Sequence, residues 1–175
     1  MDESFAWLQQ AVADRRAAEQ FAGSAEGWAR CHALAKCQQT VEKALKAVVA
    51  ALRDATILHI EIGYRHEVAR FLKVLIRLPH AAANRAIQRH LQLFLNQDTR
   101  YGIRALDALA PRAPAPGQGL RRNTEYPFHD ADGNWTYPAA DNTFTPEETE
   151  RFRQLAYRIL DNVSRLLTAI RRTPR

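Results

Sequence analysis

Cysteine, methionine, glycine and lysine are all scarce in this chain: two, one, seven and four in 175 residues. The two cysteines, Cys31 and Cys37, fall six apart inside an apparent helix. That spacing is neither a CxxC pair nor a framework of bridges, so no disulfide scaffold is expected. The few glycines form no phosphate-cradling loop, so a nucleotide would have to be gripped by Arg and Lys side chains. No apolar run approaches the roughly 20 residues of a membrane helix. The longest, Ala44 to Leu52, is interrupted by Lys46. The opening MDESFAWLQQ lacks the basic start and apolar stretch of a secretory leader, so a cytoplasmic chain is expected. His32, His59 and His80 have no partner at metal-ligand spacing, and no metal site or cofactor is expected.

What is present is ordinary globular material, 46% apolar and 25% charged, of a length that suits one domain. The net charge of +6 is unevenly spread. Residues 1–60 and 129–175 each hold seven acidic and seven basic groups, whereas residues 61–128 hold eleven basic against five acidic. That middle third is a candidate phosphate-facing surface, because clustered cations attract polyanions. The alternative is a solvated charged face in an arginine-rich chain.

Read for period, the chain is helical nearly throughout. Phe5, Leu8, Ala11, Val12, Ala18 and Ala22 form one stripe, punctuated by Gly23 and Gly27, with Ser24 placed to cap the next helix. From about Glu26 to Arg53, Leu34, Cys37, Val41, Leu45, Val48 and Leu52 share a side, while Gln38, Glu42 and Lys46 stack on another. A third helix carries Val68, Phe71, Leu72 and Leu75. A fourth runs from about Ala82 to Leu109, with a break expected near Tyr101, where Gly102 interrupts it.

Between Pro111 and Phe144 the helical period disappears and five of the eight prolines gather. The stretch also holds Tyr126, Phe128, Trp135, Tyr137 and Phe144, rings whose burial would lay it over the helices as an ordered strap. TPEE then starts the last helix, with Thr145 as cap and Pro146 in the first turn. The expected fold is all-α: a single domain over 1–175, an antiparallel up-and-down bundle of four to five helices with a long Pro- and aromatic-rich loop (about 111–144) before the last one.

The string CQQTVEKALKAVVAAL resembles the signature helix of HEPN domains (higher eukaryotes and prokaryotes nucleotide-binding), in which a Gln-Gln pair precedes a Glu-Lys-x-Leu-Lys run. GYRHEVARFLKVLI is similar to their histidine-bearing third helix, and the proline-rich excursion followed by TPEETERFRQLAYRILDNV to their usual ending. The resemblance spans roughly residues 26–172. It implies a bundle of four or five helices, often a homodimer. It also implies work as a metal-independent ribonuclease, as the toxin half of a nucleotidyltransferase-paired system, or as a non-catalytic nucleotide-binding module. The partners it implies are a nucleotide or RNA and a nucleotidyltransferase-type protein.

Catalytic members carry an arginine, a polar neighbour and a histidine a few positions on; RNTEYPFH offers Arg122, Asn123 and His129. Histidine moves protons near neutral pH, and a guanidinium holds charge on a pentacoordinate phosphorus, so RNA could be cut through its own 2′-hydroxyl. The alternative is that TEYPF is a structural clasp, with Tyr126 and Phe128 packed on the bundle. RAIQRH sets Arg85 and His90 about 140° apart on a helix, which makes them separate surface groups. The candidate ligand-binding residues are Lys43 and Lys46 on the signature helix and Arg65 and His66 on the third. Against these stand a solvated helix face for the lysines and a capping or packing role for His66. Two functions stay open: a binding module for a nucleotide, RNA or partner protein, which the proline-interrupted motif favours, or an endoribonuclease with a site composed across a dimer.

Overall fold

Asp2 opens the first helix by accepting the Phe5 N–H at 2.7 Å, a cap that satisfies one of the donors left free at a helix start. The computed structural model describes residues 2–62, 68–78, 85–110 and 121–172. In these the helices are α1 (Glu3–Ala22), α2 (Gly27–Asp54), α3 (Val68–Arg77), α4 (Arg85–Leu95), α5 (Gln97–Asp107) and α6 (Pro146–Arg171). The all-α bundle is as expected, with six helices among the described residues in place of four to five.

The extra helix comes from a cap. The chain leaves helical geometry at Asn96 (φ −60°, ψ 130°), whose side chain accepts the Thr99 N–H at 3.0 Å and starts α5. The break therefore lies at Asn96 and not near Tyr101. Gly102 stays helical and serves close packing: a Cβ there would stand 2.9 Å from Leu155 Cδ2.

α1 and α2 form an antiparallel hairpin, pinned by Arg53–Glu3 at 2.6 Å at one end and by the Phe21 and His32 rings, 5.4 Å apart, at the other. α6 runs antiparallel to α1, with Arg171 on Asp2 at 3.0 Å and Arg15 over the Tyr157 ring. It is therefore parallel to α2. The α2 stripe from Leu34 to Leu52 joins Phe71, Leu72, Phe94, Ile103, Ile159, Val163 and Leu166 in one core. Fully burying each such side chain contributes about 1.5–3 kcal/mol. No described helix is long and apolar enough to cross a membrane.

Of the strap, residues 121–144 are described, and α2 holds them. Asp141 Oδ1 accepts the Gly27 N–H at 2.8 Å, so α2 is capped from across the fold and Ser24 is not its cap. A Cβ on Gly27 would lie 2.6 Å from Asp141 Cα, so glycine is what lets the strap cross there. Buried Arg30 donates to the carbonyls of Ala25, Asp141 and Phe144. Phe128 and Phe144 are buried, but Tyr126, Trp135 and Tyr137 are exposed, contrary to the expectation that the rings pack inward. For Trp135 and Tyr137, on either side of Thr136, the reason is an unforeseen two-stranded hairpin, β1 (Phe128–His129) and β2 (Trp135–Thr136), with Phe128 opposite Thr136 and His129 opposite Trp135, while Tyr126 belongs to the turn before it. Alternation along a strand sends Phe128 inward and its neighbours outward. Thr145 caps α6 as expected, accepting the Glu148 N–H at 3.1 Å, with Pro146 in the first turn.

Candidate functional site

Asn123 is 2% exposed and all four of its side-chain hydrogen-bond positions are taken. Its Nδ2 donates to the carbonyls of Arg121 and Tyr126, and its Oδ1 accepts from the N–H groups of Glu125 and Tyr126. It closes the turn around Thr124 and has nothing left for a phosphate. Arg122 turns to the start of α6, donating to the Glu148 carboxylate and lying over the Phe144 ring. His129 goes elsewhere, its ring 4.0 Å from that of Trp135 on the hairpin. Among the described residues no hydrogen bond or ion pair joins Arg122 to His129.

The lysines of α2 are not on a solvated face. Lys46 is 2% exposed, paired with Glu42 at 2.8 Å and capped by the Trp7 ring 4.6 Å away. Lys43 and Lys36 both bind the buried Asp14 of α1. Helical spacing predicts the Glu42–Lys46 pair but not its burial, because α1 covers it. Arg65 and His66 lie outside the described residues, as does His80. His90 is not a free surface group: its Nδ1 meets Asn162 Oδ1 at 3.0 Å, and Asn162 Nδ2 donates to the His90 carbonyl at 2.9 Å, tying α4 to α6. Burial pushes the Cys31 thiol up to about 11 and Cys37 to about 12, so both stay protonated at neutral pH.

Between α5 and α6 stand cations without an ion pair among the described residues, Arg151 with its guanidinium over the Phe152 ring at 4.9 Å. A groove of about 350 Å³ is lined by Asp98, Tyr101, Gly102 and Ala105 from α5 and by Arg151, Phe152, Leu155 and Arg158 from α6. These are helical stripes at three- and four-residue steps, so each helix turns one continuous face to the cleft. Gly102 brings the two helices together at Leu155, and the missing side chain leaves the floor small and apolar. Tyr101 is 59% exposed on the wall. Arg104, also exposed, follows it by one turn.

Arg104, Arg151 and Arg158 have no carboxylate partner among the described residues. On the stripe of α6 that carries Arg151, Leu155 and Arg158, the residue one turn earlier is Glu148, which holds Arg122. One turn later is Asn162, which holds His90. The groove is thus bounded by the strap at one end and by α4 at the other. It offers fixed cations for an anion, a phenol ring for stacking and one carboxylate, Asp98, to accept hydrogen bonds.

Both arginines that line this groove, Arg151 and Arg158, come from a stretch whose charges balance, while Arg104 of the basic middle third lies beside it on α5. Totals by segment hid them. The sequence offers two arginines seven apart on the last helix, flanking Phe152 and Leu155, but Glu147 stands four residues before Arg151, and only the structure shows no ion pair between them among the described residues. No protein-family model, curated protein or solved structure matches the chain.

Proposed function

We propose that this chain is a non-catalytic, HEPN-like binding module that holds a nucleotide or RNA by its phosphates in the α5–α6 groove. The observation that carries this reading is that Arg151 and Arg158 line an open cleft without a carboxylate partner among the described residues. A guanidinium presents a fork of donors that matches a phosphate, and exposed pairs of them bind anions readily. Seven residues of helix set the two about 10 Å apart along the axis. The resemblance of the α2 string to the HEPN signature helix, and the strap placed before the last helix, support the family reading.

The endoribonuclease reading draws less support from the geometry. Asn123 is consumed by the turn, Arg122 is neutralised by Glu148, and His129 lies tilted against the Trp135 ring. The test of the binding reading is titration of a fluorescent RNA 12-mer and of nucleoside monophosphates into wild type and the Arg151→Ser/Arg158→Ser double variant. Binding that weakens at least tenfold in the variant supports it; unchanged affinity ends it. Incubating the same RNA without divalent metal checks the other reading, which requires cyclic phosphate ends that disappear in His129→Ala.

A further inference from the structure

The groove is chemically asymmetric, and the asymmetry has a direction. α5 runs antiparallel to α6: Gly102 packs on Leu155, and just past the end of α5 the Leu109 carbonyl accepts from Thr124 of the strap, whose neighbour Arg122 holds Glu148 at the start of α6. Asp98, one turn before Gly102, therefore lies toward Arg158, one turn after Leu155. Ala105, one turn after Gly102, lies toward Arg151. One end thus carries Arg151, whose acidic neighbour Glu148 is already held by Arg122, while the other sets the Asp98 carboxylate on the side of Arg158. Tyr101 stands between them with its ring exposed.

Asp98 is the informative residue. It lines the same cleft as two arginines yet forms no ion pair with either among the described residues. A site built for phosphate alone gains nothing from an acid in its wall, since the carboxylate repels the ligand. A ligand that is anionic at one end and rich in hydrogen-bond donors at the other turns that acid to use. Nucleobases differ in this respect. Guanine presents two adjacent donors, its ring N1–H and its amino group, which a carboxylate accepts side by side, and next to them O6 and N7, which a guanidinium reaches. Adenine and cytosine offer an amino donor without the adjacent N–H, and uracil offers a single N–H.

We infer that the α5–α6 groove is selective for guanine: Asp98 and Arg158 read the base edge, Tyr101 stacks on its face, and Arg151 takes the phosphate. This rests on the nucleotide-binding reading above and adds the base it selects. The base must be unpaired, because a duplex hides both the face that Tyr101 covers and the edge that Asp98 reads. A bidentate contact to a base edge is typically worth about 1–3 kcal/mol of discrimination, on the order of 5- to 150-fold in affinity. The ring supplies affinity shared by all four bases.

The experiment is calorimetric titration of GMP, AMP, CMP and UMP into wild type, Asp98→Asn, Tyr101→Ala and the Arg151→Ser/Arg158→Ser variant. In wild type GMP is expected to bind at least fivefold more tightly than the other three. Asp98→Asn, which keeps the shape but replaces one acceptor oxygen by a donor, is expected to abolish the preference while retaining binding of all four. Tyr101→Ala is expected to weaken all four alike. Equal affinities in wild type, with binding lost in the double arginine variant, would overturn the guanine assignment and leave the phosphate reading standing. A GMP preference that persists in Asp98→Asn would also overturn it. No binding of any nucleotide by folded wild type would remove the underlying reading as well.

Discussion

Two helix pairs in this molecule concentrate charge, and they do so to opposite ends. Between α1 and α2, Asp14 binds Lys36 and Lys43, and Lys46 is shut in between Glu42 and the Trp7 ring. Between α5 and α6, Arg151 and Arg158 stand in an open groove and form no ion pair among the described residues, the Asp98 carboxylate in the same wall included. The difference follows from solvation. A buried ion loses its water and must be matched on the spot, whereas a cation at an open groove keeps its hydration until an anion replaces it. Charges in the first pair therefore belong to the fold, and those in the second are free to bind.

The largest effect that would break the comparison is on stability. Lys46→Ala leaves the buried Glu42 carboxylate facing a void in place of a cation, and is expected to cost about 3–5 kcal/mol. Replacing the pair together, Lys46→Met with Glu42→Leu, should recover most of that loss, since a well-packed apolar pair of similar volume is often no worse. Urea titrations of the three proteins decide the matter. A Lys46→Ala variant as stable as wild type would mean that the seam is not where charge is locked in.

Next in size is the strap. Asn123→Ala removes four hydrogen bonds and leaves the Tyr126 and Glu125 N–H groups seeking partners. At about 0.5–1.5 kcal/mol for a typical bond, partly replaced by water, a loss of about 2–3 kcal/mol is expected. Hydrogen exchange should localise it to residues 121–144, with α1 and α6 unaffected. Uniform loss of protection across the bundle would contradict the picture of a separately clasped segment.

The sequence makes the helical stripes, the Thr145 start and the strap legible, because each depends on local chemistry: period, cap and proline content. It conceals whatever distant parts of the chain decide. Ser24 looks like a cap for α2, yet Asp141 performs that role. Lys46 sits at ordinary spacing from Glu42, and only the arrival of α1 makes the pair a buried one. Arg122 and His129 are close along the chain, but one is drawn to Glu148 and the other to Trp135. The groove was hidden for the same reason, its two walls lying some fifty residues apart and meeting only because Gly102 admits Leu155.

The reverse of the Lys46 result is expected in the groove. Arg151→Ser and Arg158→Ser together should leave the melting temperature within the change produced by about 0.5 kcal/mol, as surface substitutions usually do. The same variant should weaken nucleotide binding at least tenfold, or about 1.4 kcal/mol. Binding to RNA by wild type should also fall as salt rises, because each phosphate held releases a counterion. Loss of stability without loss of binding would place these arginines in the fold with the lysines of α2.

The smallest effect concerns the exposed ends of the α1 seam. The Arg53 hydrogen bond holds the Glu3 carboxyl below its ordinary range, and the Phe5 N–H, Ser4 and Arg171 do the same for Asp2. For both groups the folded value is depressed, so at acidic pH the unfolded chain binds more protons than the folded one. Their contribution is fully present above the ordinary carboxylate range near pH 4, and it is lost as pH falls through the depressed folded values. Both carboxylates face solvent, which screens the effect to well under about 1 kcal/mol. The first turn of α1, where both carboxylates sit, should therefore loosen in acid ahead of the rest of the helix. Amide exchange at Phe5 and Ala6 between pH 5 and pH 3 reads this directly once corrected for intrinsic rates. In Glu3→Gln the acid dependence should shrink to the Asp2 share. An unchanged acid dependence in that variant would mean that the Glu3–Arg53 contact does not fasten the start of α1, and the view that the exposed ends trim this helix would fail.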